Sequence, residues 1–271
     1  MRTFKLTLAY DGSGFAGWQR QLNGLGIQQL VEETLEAIVR HPVRIVSAGR
    51  TDAGVHALGQ VASASLDTRH DADTIQRALN AAFPDSVRVL RVEPVPDGFH
   101  ARRDARSKSY CYRLLSGRGA TPFASRYAWS VNADLDVEAM GEAFETVRGR
   151  HDFSAFASSG SRVKTRVRTV SDVSLRRAPF IEPWIGSVAT SNTVTLLAAE
   201  IRADGFLRHM VRAIVGSLVE VGLGRWRPRD FVAALESRDR RHAGRTAPAH
   251  GLFLVRVEYG PRTKDQGRLE V

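Results

Sequence analysis

The chain has 271 residues, and 39 Lys and Arg against 29 Asp and Glu give it a formal net charge of +10. This length predicts two domains or one large one. A basic chain with 43% hydrophobic residues is typical of a folded protein that binds a polyanion such as nucleic acid, not of a disordered basic tail. The single cysteine excludes an intrachain disulfide, and the lack of a signal-like N-terminus or an 18-residue apolar run predicts a cytoplasmic protein without membrane contact.

The first part of the chain predicts the element order β-α-β-β-α-β. Phe4, Leu6 and Leu8 alternate with polar residues as in a half-buried strand, and apolar residues recur at helical spacing over 27–39, before Pro42. The remaining elements are strands over 43–47 and 55–66, a helix capped by Asp73 that carries Ile75, Leu79 and Phe83, and a strand over 87–92. This order is that of a ferredoxin-like unit.

Pro and Gly at 94–98, followed by a charged stretch, indicate a linker that ends near Ala105. Beyond it the order recurs loosely, with strands over 109–115, 168–175, 193–202 and 252–259 and helices over 137–147, 207–221 and 230–235. We therefore predict an α+β fold of two ferredoxin-like (RRM-like) units, residues 1–104 and 105–260, each with an antiparallel sheet and helices on one face. Residues 261–271 are expected to form a disordered tail.

Asp52 is the first candidate for chemistry, because it follows Arg50 and Thr51 in a loop between two predicted strands, with Gly49 and Gly54 on either side. Glycines permit an unusual backbone path, and loops held by rigid strands often carry catalytic groups. Spacing alone leaves a second interpretation open, in which Asp52 caps a turn and Arg50 is a solvated charge.

The sequence predicts no cofactor and no metal. Its Gly-x-Gly segments lack the third glycine of a dinucleotide loop, and the P-loop spacing of Gly12 and Gly17 is followed by Trp18 and Gln19 where Lys and Ser or Thr would be needed. No histidine pair stands at zinc-ligand spacing with a second ligand pair nearby.

Basic residues cluster in three places, any of which could contact phosphates. They lie at 102–108, which includes Arg102 and Lys108, at 162–168, and at 225–245. A solvated face is the alternative for each cluster, but the net charge favours RNA, as does a set of aromatic residues that could stack on bases: Phe15, Trp18, Tyr110 and Tyr112.

The helix predicted from Leu207 carries one apolar stripe that we expect to be core, with Gly216 as a point of close approach for a neighbour. Arg208 and Arg212 lie beside the stripe, four residues apart. Periodicity leaves open whether they pair with a carboxylate in a cleft or extend to solvent.

Several motifs together resemble the TruA family of tRNA pseudouridine synthases over nearly the whole chain. The most specific is Gly49–Gln60, and Tyr10–Gln19 is similar to the family's opening signature. Further similar segments are 99–102, 108–113, 151–153, 206–222 and 246–252. Residues 176–192, with Pro179, Pro183 and Trp184, match nothing in the family and are interpreted as an inserted loop.

The resemblance implies conversion of uridines 38, 39 and 40 of the tRNA anticodon stem-loop to pseudouridine, without metal or organic cofactor. It implies an active-site cleft between the two halves and a homodimer in which tRNA lies across both subunits. The reaction cleaves the N1 glycosidic bond, turns the base and rejoins it through C5, so the target base must leave its stack.

Residue by residue, the resemblance makes Asp52 the catalytic residue. The carboxylate could attack C1′ as a nucleophile or take a proton on the way to a glycal-like intermediate. Arg212 corresponds to its basic partner, Tyr110 to the tyrosine against the target base, and Arg50 to the arginine that holds the nucleotide out of its helix. Arg102, Lys108 and Arg208 are the candidates for RNA binding.

Two alternatives compete with this interpretation. A non-catalytic RNA-binding protein with two RRM-like domains would explain the charge and strand order, although the chain lacks a clear RNP1 string. A hydrolase that uses Asp52 as nucleophile on a small phosphorylated substrate would need the phosphate loop or metal ligands that the sequence does not provide.

Overall fold

The computed structural model describes residues 1–158, 163–178 and 194–260, which form an α+β fold. The predicted tail, 261–271, and most of the predicted insertion, 176–192, lie outside these ranges. The strands of the described residues are β1 Arg2–Tyr10, β2 Ile45–Ser47, β3 His56–Leu66, β4 Val87–Val95, β5 Ala105–Ser116, β6 Trp129–Val131, β7 Gly149–Asp152, β8 Val167–Ala178, β9 Thr195–Ala203 and β10 Leu252–Tyr259. The helices are α1 Ile27–Val39, α2 Ala72–Ala82, α3 Pro122–Ser125, α4 Val137–Glu145, α5 Met210–Gly222 and α6 Pro228–Ser237.

All of these strands belong to one sheet, where we expected two. Its order is β4-β1-β3-β10-β5-β9-β8-β7, with β2 added to β3 and β6 added to β5. Most neighbours are antiparallel, but β10 runs parallel to β3 and β6 runs parallel to β5. The last strand therefore joins the first part of the chain to the second.

The predicted linker and helix cap are corrected by the structure. Pro94 and Val95 belong to β4 and pair with β1. Because β4 is the edge strand, the missing N–H of Pro94 costs no ladder hydrogen bond to a further strand. The N-cap of α2 is Asp71, whose carboxylate accepts a hydrogen bond from the Thr74 N–H, and Asp73 lies in the first turn.

Helix α5 is buried on nearly every side, which confirms that its apolar stripe is core. Gly216 lies directly against the carbonyl group of Arg245, so that a Cβ at this position would clash with the backbone. The expected close approach is therefore confirmed. α5 packs against α4, α6 and β5, and this places its N-terminus next to the loop between β2 and β3.

Candidate functional site

The loop that carries Asp52, residues 48–55, packs against the opening signature of the chain, Tyr10–Gln19. The Trp18 N–H donates to the Thr51 carbonyl at 3.0 Å, and the Val55 N–H donates to the Asp52 carbonyl at 3.1 Å. Gly17 has φ +95°, and a Cβ on it would lie 2.8 Å from the Thr51 carbonyl oxygen. A glycine at 17 is therefore required both by the backbone conformation and by the closeness of the Asp52 loop.

Tyr10 and Gln60 fix the same loop from the sheet. The hydroxyl groups of Tyr10 and Thr51 lie 2.8 Å apart, and the Gln60 amide donates to the Gly49 carbonyl at 2.8 Å. Burial raises the pKa of Tyr10 to about 12, so its hydroxyl stays neutral and serves as a hydrogen-bonding partner. The backbone on both sides of Arg50 is thus fixed by buried side chains.

Asp52 meets α5 across the boundary between the two predicted halves. Its Oδ2 lies 3.4 Å from Nη1 of Arg212 and 3.4 Å from Nε2 of His209. The Nε of Arg212 donates to the Ala247 carbonyl at 2.7 Å, so a second backbone segment orients the guanidinium. The structure thus brings Asp52 and Arg212 together, and the carboxylate remains partly open to solvent.

His209 is the residue of this cluster that the sequence reasoning missed. It precedes the first turn of α5 with φ +64°, in the left-handed region that residues with a Cβ seldom adopt. Partial burial, reinforced by the positive charges of Arg212, Arg208 and Arg240, lowers the pKa of His209 although Asp52 opposes this. The neutral imidazole can direct an N–H toward Asp52. Helical periodicity carries no signal for such a turn.

Tyr110 lies on β5 with its ring edge against Phe206, 4.9 Å between centroids. Burial raises the pKa of Tyr110 well above its ordinary value, and the negative charge of Asp52 acts in the same direction. Among the described residues its hydroxyl has no hydrogen-bonding partner. A neutral phenol close to Asp52 is therefore available to a ligand.

Several of the predicted basic residues near this loop lie on the protein surface. Arg50, Arg102 and Arg208 are exposed and form no ion pair within the part of the chain that the structure describes. Lys108 is half-buried beside Gly49, and its pKa is lowered by burial and by the charges of Arg102 and Arg168. These side chains add positive charge around Asp52.

The basic cluster at 225–245 is largely engaged within the protein. Arg240 donates to the carbonyl groups of Ala243 and Gly244, and Arg245 lies over the ring of Trp129 at 4.5 Å. Further pairs are Arg225 with Glu220, Arg227 with Asp230 and Arg241 with Asp239. These contacts are local, and the arginines of the three ion pairs remain exposed.

The predicted stacking role of two aromatic residues is wrong. Trp18 and Tyr112 are almost fully buried, and the Tyr112 hydroxyl donates to the Pro248 carbonyl at 2.7 Å. Core packing therefore removes them from contact with an exposed base. Within the described ranges, no three His, Cys, Asp or Glu side chains are grouped as a metal ion would require, and no helix is long and apolar enough to span a bilayer.

Comparison with known proteins finds one family. A family model described as tRNA pseudouridine synthase matches residues 7–104 and 143–260. A tRNA pseudouridine synthase A from Rhodospirillum centenum is 44% identical, over 96% of this chain and all of the relative. Proteins of the same name from Beijerinckia indica and Acetivibrio thermocellus are 42% and 41% identical, over 98% and 96% of this chain and 97% and 100% of the relatives. This chain, in which Asp52 contacts Arg212, therefore belongs to the tRNA pseudouridine synthase family.

Proposed function

We propose that this chain converts uridines 38, 39 and 40 of the tRNA anticodon stem-loop to pseudouridine. The observation that carries the proposal is the pairing of Asp52 with Arg212 in a chain of this family. The Asp52 carboxylate lies beside the Arg212 guanidinium and is partly open to solvent, so it can reach a substrate. Both conceivable routes, attack on C1′ and removal of a proton, need a carboxylate at this place.

The reaction breaks the bond between N1 and C1′ and forms a bond between C5 and C1′. The C5 hydrogen leaves as a proton, and N1 regains one, so the product is an isomer of the substrate. Asp52 is proposed as the catalytic residue and Arg212 as its charge partner. Tyr110 is suited to hold the extruded base, because its ring is fixed by Phe206 and its hydroxyl has no partner among the described residues.

We assign RNA binding to the exposed cations around Asp52. Arg50 would hold the extruded nucleotide, since a planar guanidinium both stacks on a base and contacts phosphate. Arg102, Lys108 and Arg208 would neutralise phosphates of the same strand. Arg102 and Arg208 are exposed and form no ion pair within the described ranges. We further propose that the protein acts in the cytoplasm as a homodimer that shares one tRNA-binding surface.

The proposed active site lies between two ferredoxin-like units, residues 1–104 and 105–260. The order β1-α1-β3-α2-β4 with the short β2 supports the first unit, and the start of β5 at Ala105 supports the boundary. Only two residue pairs join β3 to β10, whereas β10 pairs with β5 over nearly its full length. The contact of Asp52 with Arg212 crosses this narrow junction.

The test uses tRNA that carries tritium at C5 of its uridines. Rejoining through C5 expels that hydrogen, so the wild-type protein should release tritium to water, and Asp52→Asn, which keeps the shape of the side chain and removes its charge, should not. Binding of tRNA by both proteins is measured in parallel. Binding without release by either protein would favour a non-catalytic RNA-binding protein and overturn the proposal.

A further inference from the structure

A cavity of about 300 Å³ lies beside the Asp52 loop and plays no part in the chemistry described above. Three separate segments line it: the opening signature with the start of α1, strand β2, and the loop that precedes β5. Trp18 and Ile45 are its buried apolar residues, and Gln19, Ser47, His100 and Arg102 are among its polar ones. This volume is at the lower end of the range for small-ligand sites and suits a single nucleoside.

Several polar side chains of this cavity have no partner among the described residues, whereas the Gln28 amide, which also lines it, donates to Glu32 and accepts from the Arg20 N–H. The side chains of Gln19, Ser47 and Arg102 make no hydrogen bond or ion pair within the described ranges. His100 accepts a hydrogen bond from the Arg103 N–H at Nδ1, at 3.1 Å, which leaves its Nε2 available. An amide, a hydroxyl, an imidazole nitrogen and a guanidinium thus line one small space with unused donors and acceptors.

A second depression, on α2, shows the contrast. Its volume is about 480 Å³, but all of its lining residues belong to that one helix. The amides of Gln76 and Asn80 already donate to the carbonyl groups of Leu90 and Val89. The α2 surface is therefore satisfied by the protein itself, and the cavity beside the Asp52 loop is not.

The cavity is attached to the candidate site through the backbone. The backbone N–H of Trp18, one of the residues that line the cavity, donates to the Thr51 carbonyl at 3.0 Å. Ser47 ends β2, directly before the segment that leads through Arg50 to Asp52. Arg102 is close enough to Lys108 to lower its pKa, and Lys108 contacts Gly49 in the Asp52 loop. A strand that places one nucleotide at Asp52 would therefore have its neighbours within reach of this cavity.

We propose that the cavity is a second RNA subsite, which holds one unpaired nucleotide of the strand that contains the target uridine. Gln19 and Ser47 hydrogen-bond the edge of its base, and Arg102 contacts its phosphate. An amide both donates and accepts, so Gln19 can read the Watson–Crick edge of a base. The inference rests on the proposed function, because the nucleotide is defined relative to the uridine at Asp52.

The first measurement is the Kd of the full-length protein for tRNA, with the variant Gln19→Ala and the control Gln29→Ala. Gln29 lies on α1 and bonds to Glu33 on the helix surface, so its loss should leave the Kd unchanged. Loss of the Gln19 hydrogen bond should raise the Kd by about 3- to 10-fold. Because the Gln19 side chain has no partner in the described structure, thermal unfolding of both variants should match the wild type. An unchanged Kd for Gln19→Ala would overturn the proposal.

The second measurement locates the nucleotide. The Kd is measured for a series of anticodon stem-loops, each with one abasic site next to a target uridine. At one position the abasic site should raise the Kd of the wild type but should not raise the Kd of Gln19→Ala above its value for the intact stem-loop. Additive losses at every position would overturn the proposal. Competition by free uridine monophosphate that disappears in Gln19→Ala would assign the cavity to free nucleotides and would also overturn it.

The tritium assay separates this proposal from the proposed function. Normal release by the wild type, without coupling between Gln19 and any abasic position, would reject the subsite alone. Coupling in the Kd without tritium release would support the RNA subsite and reject the isomerase activity. Because tRNA binding and tritium release are measured on the same proteins, failure of the subsite can be distinguished from failure of the isomerase activity.

Discussion

Replacement of Arg212 tests the central contact of the candidate site, because one guanidinium makes two different bonds. Its Nη1 lies 3.4 Å from Oδ2 of Asp52, and its Nε donates to the Ala247 carbonyl at 2.7 Å. Lysine keeps the charge but has no planar fork, so Arg212→Lys can satisfy only one of these partners. Methionine keeps much of the length and removes the charge altogether.

The expected magnitudes follow from these contacts. A hydrogen bond that involves a charged group contributes about 1.5–3 kcal/mol, so Arg212→Lys should lower kcat/KM by roughly 10- to 150-fold. Loss of one partner of a buried ion pair costs about 3–5 kcal/mol. Because Asp52 is 29% and Arg212 15% exposed, solvent screens part of this energy. For Arg212→Met we therefore expect a loss of about 2–4 kcal/mol, or roughly 30- to 1000-fold in kcat/KM.

The assay is tritium release under single-turnover conditions, with tRNA binding and thermal unfolding measured on the same proteins. Arg77→Met serves as the matched control, since Arg77 is an exposed arginine on α2 and its replacement removes the same charge. The control should stay within about twofold of the wild type, as most surface substitutions do. A folded Arg212→Met protein with kcat/KM within threefold of the wild type would refute a role of this arginine at Asp52.

Three further predictions concern Tyr110, His209 and Gly17. Tyr110→Phe should keep its melting temperature and lose about 3- to 10-fold in kcat/KM, because the lost hydroxyl has no partner in the described structure; a drop in stability with normal activity would contradict this. The pKa of His209 lies below 6.5, so the native state binds fewer protons than the unfolded chain just below pH 6.5, and the free energy of unfolding should fall as the pH is lowered through that window. Urea unfolding at several pH values should show a shallower fall for His209→Asn, and equal slopes would exclude this contribution. Gly17→Ala should cost more than about 1 kcal/mol and impair activity, because it places a Cβ 2.8 Å from a loop carbonyl oxygen at φ +95°, whereas Gly14→Ala, with open space around it, should be nearly neutral in both measurements.

Local signals in the sequence were sufficient to predict the bounds of an element when residues within it or next to it set those bounds. Helix α1 and strand β10 have the predicted bounds, because periodicity and flanking breakers define them. Helix α5 begins at Met210 and not at Leu207, because the left-handed backbone of His209 interrupts the predicted helix. The short strands β6 and β7 were not predicted, since three or four residues are too few to establish a period.

Long-range arrangements were beyond the sequence pattern. The placement of His209 beside Asp52 depends on how α5 meets the loop after β2, and no spacing along the chain encodes it. The contact of Arg245 with Trp129 could not be predicted for the same reason. The roles assigned to Asp52, Arg212 and Tyr110 stay predictions until the variants are measured.

The position of β10 has a consequence for how the chain folds. This strand lies between β3 and β5, so the centre of the sheet is completed by the last strand of the described chain to be synthesised. Until then the edge of β3 is paired only with the short β2 and that of β5 only with the short β6, and the unpaired parts of such edges are sites where aggregation begins. His56 and Phe253, which pair across this junction, lie 197 positions apart in the chain, and such non-local contacts form slowly. Assembly of the site around Asp52 should therefore be a late event in folding.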